Sequence, residues 1–191
     1  MKVLHVIARM NVGGTARYVS ELVGASDEFL LAMGNVQGAE VEDPCVANLP
    51  VVRIPHLGRA IRPLADFRAL LELRKVVREY QPDVIHSHTF KAGVVARLVP
   101  TRAKRVHTFH GHLFDDASFS QVAKSLITLA EQFLALRTDV LISVGKKVGV
   151  ELRAAGIGAK RRWVSIAPGV VALPQIEKRI ARSALGIDET V

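Results

Sequence analysis

Apolar residues are distributed along this chain in two alternating ways. Residues 2–8 form a nearly continuous apolar run rich in β-branched side chains, interrupted by His5 and followed by the pair Gly13-Gly14. Such a run predicts a strand buried on both faces. Residues 15–23 then place Tyr18, Val19, Leu22 and Val23 at helical spacing, so strand, glycine turn and helix open a βαβ unit. Further strands are expected at 28–33, 51–54, 83–87, 105–109, 139–144 and 163–166. Residues 34–50 are polar and acidic and read as a loop. The clearest helix follows Pro63, where Leu64, Phe67, Leu70, Leu71, Val77 and Tyr80 recur every three or four positions until Pro82 stops them. Helices are also predicted at 92–99, at 121–136 behind an N-cap at Ser118 or Ser120, at 146–155 and at 173–185. Strands alternating with helices imply an α/β fold, a doubly wound, mainly parallel sheet with helices on both faces.

Length and composition agree with one domain. The 191 residues are 49% hydrophobic and 5% aromatic, the balance of a chain that can bury a sizeable core. A single cysteine, Cys45, excludes an intramolecular disulfide framework and fits a reducing cytoplasm. No apolar run approaches the roughly 20 residues that a membrane-spanning helix requires. The net charge of +8 is unevenly spread, because residues 1–50 are acidic while residues 146–182 hold nine bases against Glu151 and Glu177. That basic segment could face an anionic lipid surface or a phosphorylated ligand. Nucleic acid is not expected as a partner, since no recognised binding motif and no aromatic stacking surface accompany the charge.

In an open parallel sheet, ligands bind beyond the carboxyl ends of the strands, where loops converge and helix N-termini expose unpaired amides. Three such places carry polar chemistry. After the first strand, Gly13, Gly14 and Thr15 allow close backbone approach and could offer amides to a phosphate, although GxGxxG is absent. After the strand at 83–87, His86 and His88 share one side of an extended segment, with Lys91 close behind. After the strand at 105–109 come His110, Gly111 and His112. Five of the seven histidines lie between 86 and 112, which favours a polar site, whereas His5 and His56 read as hydrogen-bonded structural residues. His-x-His spacing also invites a metal, but Asp115 and Asp116 lack a ligand spacing and no Cys is near, so no metal is expected.

Taken in order, these segments resemble the N-terminal half of family 4 glycosyltransferases, retaining enzymes of GT-B architecture that use nucleotide sugars. The resemblance runs through Gly13-Gly14, Leu57-Gly58-Arg59, the segment from Gln81 to His88, Lys91-Ala92-Gly93, Thr108-Phe109-His110-Gly111, Ile142-Ser143 and the closing segment from Val164 to Val170. It is similar above all to bacterial enzymes that build exopolysaccharide, capsule or lipid-linked oligosaccharide. The resemblance implies a Rossmann-like acceptor-binding domain over 1–170, and a linker at 171–191 leading to a donor-binding domain outside this sequence, without which the chain would be inactive. It implies that His110 is the catalytic contact to the donor sugar, with Gly111 and His112 nearby. Gly13, Gly14 and Thr15 would then flank the donor diphosphate and the acceptor, while His86, His88 and Lys91 would face the acceptor. The substrates implied are a nucleotide-sugar donor and a glycan or lipid-linked acceptor, with no cofactor and no metal, in the cytoplasm and peripheral to the membrane. Here Ala167-Pro168-Gly169-Val170-Val171 lacks the Asn and Asp of the family's usual closing motif. A sugar-nucleotide epimerase of the same architecture, and a basic nucleotide- or nucleic-acid-binding module, are the alternative readings.

Overall fold

The computed structural model describes residues 1–111, 120–169 and 176–187. His112, Asp115, Asp116, Ser118 and the proposed boundary at 170/171 therefore fall outside, or at the edge of, the described residues. Seven strands form one parallel sheet in the order β3-β2-β1-β4-β5-β6-β7. They are β1 (Val3–Ile7), β2 (Phe29–Met33), β3 (Val51–Arg53), β4 (Val84–His88), β5 (Lys104–Phe109), β6 (Val140–Ser143) and β7 (Arg162–Ser165). The helices are α1 (Gly14–Val23), α2 (Pro63–Tyr80), α3 (Phe90–Leu98), α4 (Gln121–Ala135), α5 (Lys146–Ala154) and α6 (Lys178–Ala184). Each predicted element is present within two residues at its described ends, except the last helix, whose described part starts at Lys178, residues 173–175 lying outside the described residues. Ser120 caps α4 by accepting from the Ala123 amide. The loop expected at 34–50 contains a 3-10 turn, Pro44–Asn48, capped by the Asp43 carboxylate.

The chain winds outward from β1 in one direction and restarts at β4 in the other, so the strand order reverses between these two neighbours. Such a switch point leaves a crevice at the carboxyl ends of the strands, because the following helices depart to opposite faces. Here α3 packs with α2 over Leu4, Val6 and Ile85, while α1 packs over Ile7, Leu31 and Met33 on the other face. Coverage is unequal. Helices α2, α3, α4 and α5 form one layer, joined by the Arg97–Glu131 pair and by the Gln132 amide donating to Ala155 O, whereas α1 and the 3-10 turn serve the opposite face.

Register then decides which polar side chains meet. His5 pairs with His86 and Ile7 with His88 across β1 and β4, while His86 and His88 pair with Val106 and Thr108 of β5. Residues paired in neighbouring strands share a face, so the pleat gathers His5, His86, His88 and Thr108 on the α1 side. His107, one position out of phase, falls on the α3 side. Its ring packs so closely on Gly93 that a Cβ there would lie 2.5 Å from His107 Cε1.

Candidate active site

At the end of β1 the chain passes through Gly13, whose φ of 155° is disfavoured for residues with a side chain, and enters α1 at Gly14. Both glycines are exposed, and no side chain caps the helix. The first-turn amides of α1 are thus left without a side-chain acceptor at the crevice. A cavity of about 560 Å³ beside the loop is lined by Gly13, Gly14, Arg17 and Asp43, among others. The Asp43 carboxylate is already engaged, accepting from the amides of Cys45 and Gly13, and these bonds hold it below the usual carboxylate range.

Beneath this loop lies a buried set of imidazoles. His5 Nδ1 meets His88 Nε2 at 3.2 Å, and His88 Nδ1 meets His110 Nε2 at 3.1 Å. His86 packs against His88 with ring centroids 4.2 Å apart and bonds the Thr108 hydroxyl through Nε2 at 2.7 Å. Tyr18 of α1 presents its ring edge to His110 at 5.1 Å and hydrogen-bonds Thr108, which ties the start of α1 to the end of β5. Burial holds His5 and His110 at about 4, and pushes His86 and His88 well below the ordinary histidine value. These rings are therefore neutral near pH 7, each with one N–H and one lone pair.

The polarity of the series follows from its closed end. His5 Nε2 is buried without a partner. A buried donor left unpaired is rarer than an under-used acceptor, so the His5 proton sits on Nδ1 and donates to His88 Nε2. His88 in turn donates from Nδ1 to His110 Nε2, and His110 is left with an Nδ1–H. This half-buried ring ends the series where β5 leaves the sheet, beside the exposed Gly111.

Nitrogens of His5, His86 and His88 all lie within 4.8 Å of one another, close enough for a divalent cation such as zinc. In the present arrangement two of those rings bond each other and the third bonds Thr108, so hydrogen bonding accounts for the cluster.

Lys91 and His107 have other commitments. Lys91 is buried, with its ammonium 2.5 Å from Asp66 Oδ1 of α2 and also donating to Ala60 O, so it clamps α3 to the start of α2. His107 bonds Ser87 Oγ at 2.9 Å beneath α3. Three residues not assigned to the site from the sequence, His5, Tyr18 and Thr89, join it together with Thr108 of the Thr108–Gly111 segment. His5 closes the imidazole series, and Tyr18 and Thr108 bridge its two sides. Thr89, directly after His88, holds a φ of 66° with its hydroxyl buried and unpartnered. A β-branched residue in that region is strained by on the order of 1–3 kcal/mol, a cost that clusters at ligand sites.

A parallel sheet with its switch point between β1 and β4, an uncapped glycine-led helix and a neutral polar wall define a Rossmann-like ligand-binding domain. The chain belongs to the family described as "Glycosyl transferase 4-like domain", which it matches over residues 13–169. It is 32% identical over 92 residues to the Escherichia coli UDP-Gal:alpha-D-GlcNAc-diphosphoundecaprenol alpha-1,3-galactosyltransferase, an alignment covering 47% of this chain and 24% of that protein. It is 26% identical over 145 residues to the O-antigen biosynthesis glycosyltransferase WbnH of Escherichia coli, covering 74% of this chain and 40% of the relative. Among solved structures it is similar in fold to Anabaena Alr3699/HepE in complex with UDP, with a TM-score of 0.73 at 18% identity over 97% of this chain and 50% of that one. The chain thus spans about half the length of that structure, and less of the curated relatives.

Proposed function

We propose that this chain is the acceptor-side half of a glycosyltransferase that moves a sugar from a nucleotide-sugar donor to a hydroxyl of a lipid-linked or cell-envelope glycan. The reading rests on one observation above all, the crevice in which the exposed Gly13-Gly14 turn leading into α1 and the half-buried His110 are joined through Tyr18. UDP in the similar Anabaena structure and the galactosyl and O-antigen activities in the relatives' names support the substrate class.

In this reading the first-turn amides of α1 lie beside the donor diphosphate, and a helix N-terminus suits that charge. The Nδ1–H of His110 donates to the donor sugar near the reacting carbon, and Gly111 lets that loop approach. His88 holds the His110 ring from below, while the strained Thr89 shapes the acceptor side of the crevice. Positioning and charge stabilisation by fixed dipoles are the protein's contribution. The departing diphosphate assists transfer with retention, and neither a metal nor a cofactor takes part. A donor-binding domain of the same parent protein closes the cleft, the chain alone is inactive, and the enzyme works in the cytoplasm at the membrane's inner face. Among the described residues, no helix is long and apolar enough to cross a membrane.

The test is transfer of labelled sugar from a panel of UDP- and GDP-sugars to extracted membrane lipid by the full-length protein. His110→Ala is expected to lower the rate at least about a hundredfold, the lower end of the range for losing one positioned hydrogen-bond donor. Unimpaired transfer by that variant overturns the assignment of His110.

A further inference from the structure

The outer surface of the four-helix layer is not made as a water-facing surface usually is. Helix α4 turns Ile127, Leu134, Ala135 and Glu131 inward. Its outward stripe is Val122, Leu126, Leu129 and Phe133, continued by Leu136 after the helix, spaced alternately by four and three residues and 52–71% exposed. Helix α2 repeats the feature in its first half, where Leu64, Phe67 and Leu71 are 47–67% exposed and Ile61 precedes them. Between them α3 is short and sunk, with Ala92, Gly93 and Ala96 buried and none of its residues exposed. The two longer helices therefore stand as apolar ridges on either side of a trough. A cavity of about 490 Å³ at the start of α2 and α3 is lined by Ile61, Phe90 and Ile127 of α4, with Arg59 and Glu40 contributing one charge of each sign.

Charge on the outer side of these helices is mainly positive, with Glu79 the exposed acid. The acids are engaged: Asp66 with Lys91, Glu72 with His56, Glu131 with Arg97, and Glu79 with Lys75 along α2. Arg68, Arg74 and Arg78 are exposed on α2, Lys124 is half-buried on α4, and the exposed Arg137 follows α4 over the Phe133 ring. Exposed apolar ridges flanked by cations, with the carboxylates committed elsewhere, have the chemistry of an interfacial surface. Apolar side chains enter the headgroup boundary by about 5–10 Å, and Lys and Arg meet lipid phosphates. A second copy would set cation against cation with no free carboxylate opposite.

We infer that the α2–α4 face docks this protein on an anionic lipid bilayer. The inference refines the peripheral-membrane part of the proposed function and does not depend on sugar transfer. It also relocates the membrane contact away from the basic segment at 146–182.

The experiment is co-sedimentation of the chain with phosphatidylcholine vesicles with and without phosphatidylglycerol, together with sedimentation velocity without lipid. The chain is expected to bind the anionic vesicles. Leu126→Ser with Phe133→Ser, both at exposed positions, should weaken that binding at least about tenfold with an unchanged circular dichroism spectrum. Lys146→Glu with Lys147→Glu should change it less than about twofold. Unchanged binding by the α4 variant overturns the inference, as does loss of binding in the 146/147 variant alone, which returns the contact to the basic segment. A wild-type dimer that the α4 substitutions dissociate overturns it in favour of a second copy. Failure of the wild-type chain to bind either vesicle overturns the peripheral reading as well, while leaving sugar transfer standing.

Discussion

Breaking the pair between Arg97 and Glu131 gives the most discriminating test of how the site is held. The guanidinium of α3 makes two parallel bonds to the carboxylate of α4, at 2.8 and 2.7 Å, and a third to Gly93 O at 2.9 Å, with both side chains at most 1% exposed. Glu131→Ala removes two of the three acceptors and leaves a cation buried with a single carbonyl. Breaking a buried pair in this way costs about 3–5 kcal/mol, against a total stability of about 5–15 kcal/mol. With a urea slope of about 2 kcal/mol per M, the midpoint should fall by roughly 1.5–2.5 M, readable by circular dichroism. Glu131→Gln, which keeps one acceptor, should fall in between and remain measurable if the alanine variant unfolds. Arg97→Met with Glu131→Leu removes both charges and should recover most of the loss, because no buried ion is left uncompensated. A Glu131→Ala midpoint within about 0.3 M of wild type refutes the reasoning, and so does a double variant less stable than either single one.

Three further outcomes follow from the same geometry. His5 and His110 are held at about 4 against an ordinary 6.5, so the unfolded chain binds their protons first; their stabilisation is complete above pH 6.5 and is lost as pH falls toward 4. At about pH 5.5 each should cost about 1.4 kcal/mol, and a urea midpoint that stays flat between about pH 7.5 and 5.5 would count against the buried series. Nitrogen-15 spectra should show His5, His88 and His110 all as Nδ1–H tautomers, and an Nε2–H at His88 would reverse the assigned polarity. Gly34→Ala should destabilise by at least about 3 kcal/mol in the same urea assay, since its Cβ would lie 1.8 Å from the Leu57 carbonyl oxygen and 2.5 Å from that of Ala8; a wild-type midpoint would show that the strand ends can separate.

The sheet was legible because each buried strand is a short apolar run and each connecting helix carries its own period, so element type and order follow from local pattern alone. The 3-10 turn at Pro44–Asn48 was missed although Asp43-Pro44 is a fair start signal, because the acidic surroundings look like loop. The site was legible only in part. His86, His88 and His110 stand out by spacing and by their place at strand ends. His5 looks like a lone core histidine until β1 is known to lie beside β4, where its register partner is His86. Lys91 looks like a ligand contact until Asp66 is found against it, for nothing local to either residue announces the pair. The stripe on α4 is visible as spacing, but whether such a stripe faces the core or water depends on which side carries Ile127 and Glu131. The strain at Thr89 leaves no mark in sequence at all.

Neutrality of the imidazole wall has a consequence for how the crevice attracts an anion. With His5, His86, His88 and His110 uncharged near pH 7, and Arg17 offset by Asp43 and Glu21 in the same cavity lining, attraction comes from the amides of α1. Fixed dipoles and neutral donors act over a few ångströms and lose little to added salt, whereas steering by exposed charges is screened beyond about 8–10 Å at physiological ionic strength. In the proposed reading, a crevice built this way orients a diphosphate without holding it by net charge. The buried imidazoles also fix the His110 ring from beneath, because moving it would break a hydrogen-bonded series that ends at the unpartnered His5 Nε2. Rigidity of the donor and weakness of the charge are therefore two results of one cause, the burial of the histidines between β1, β4 and α1.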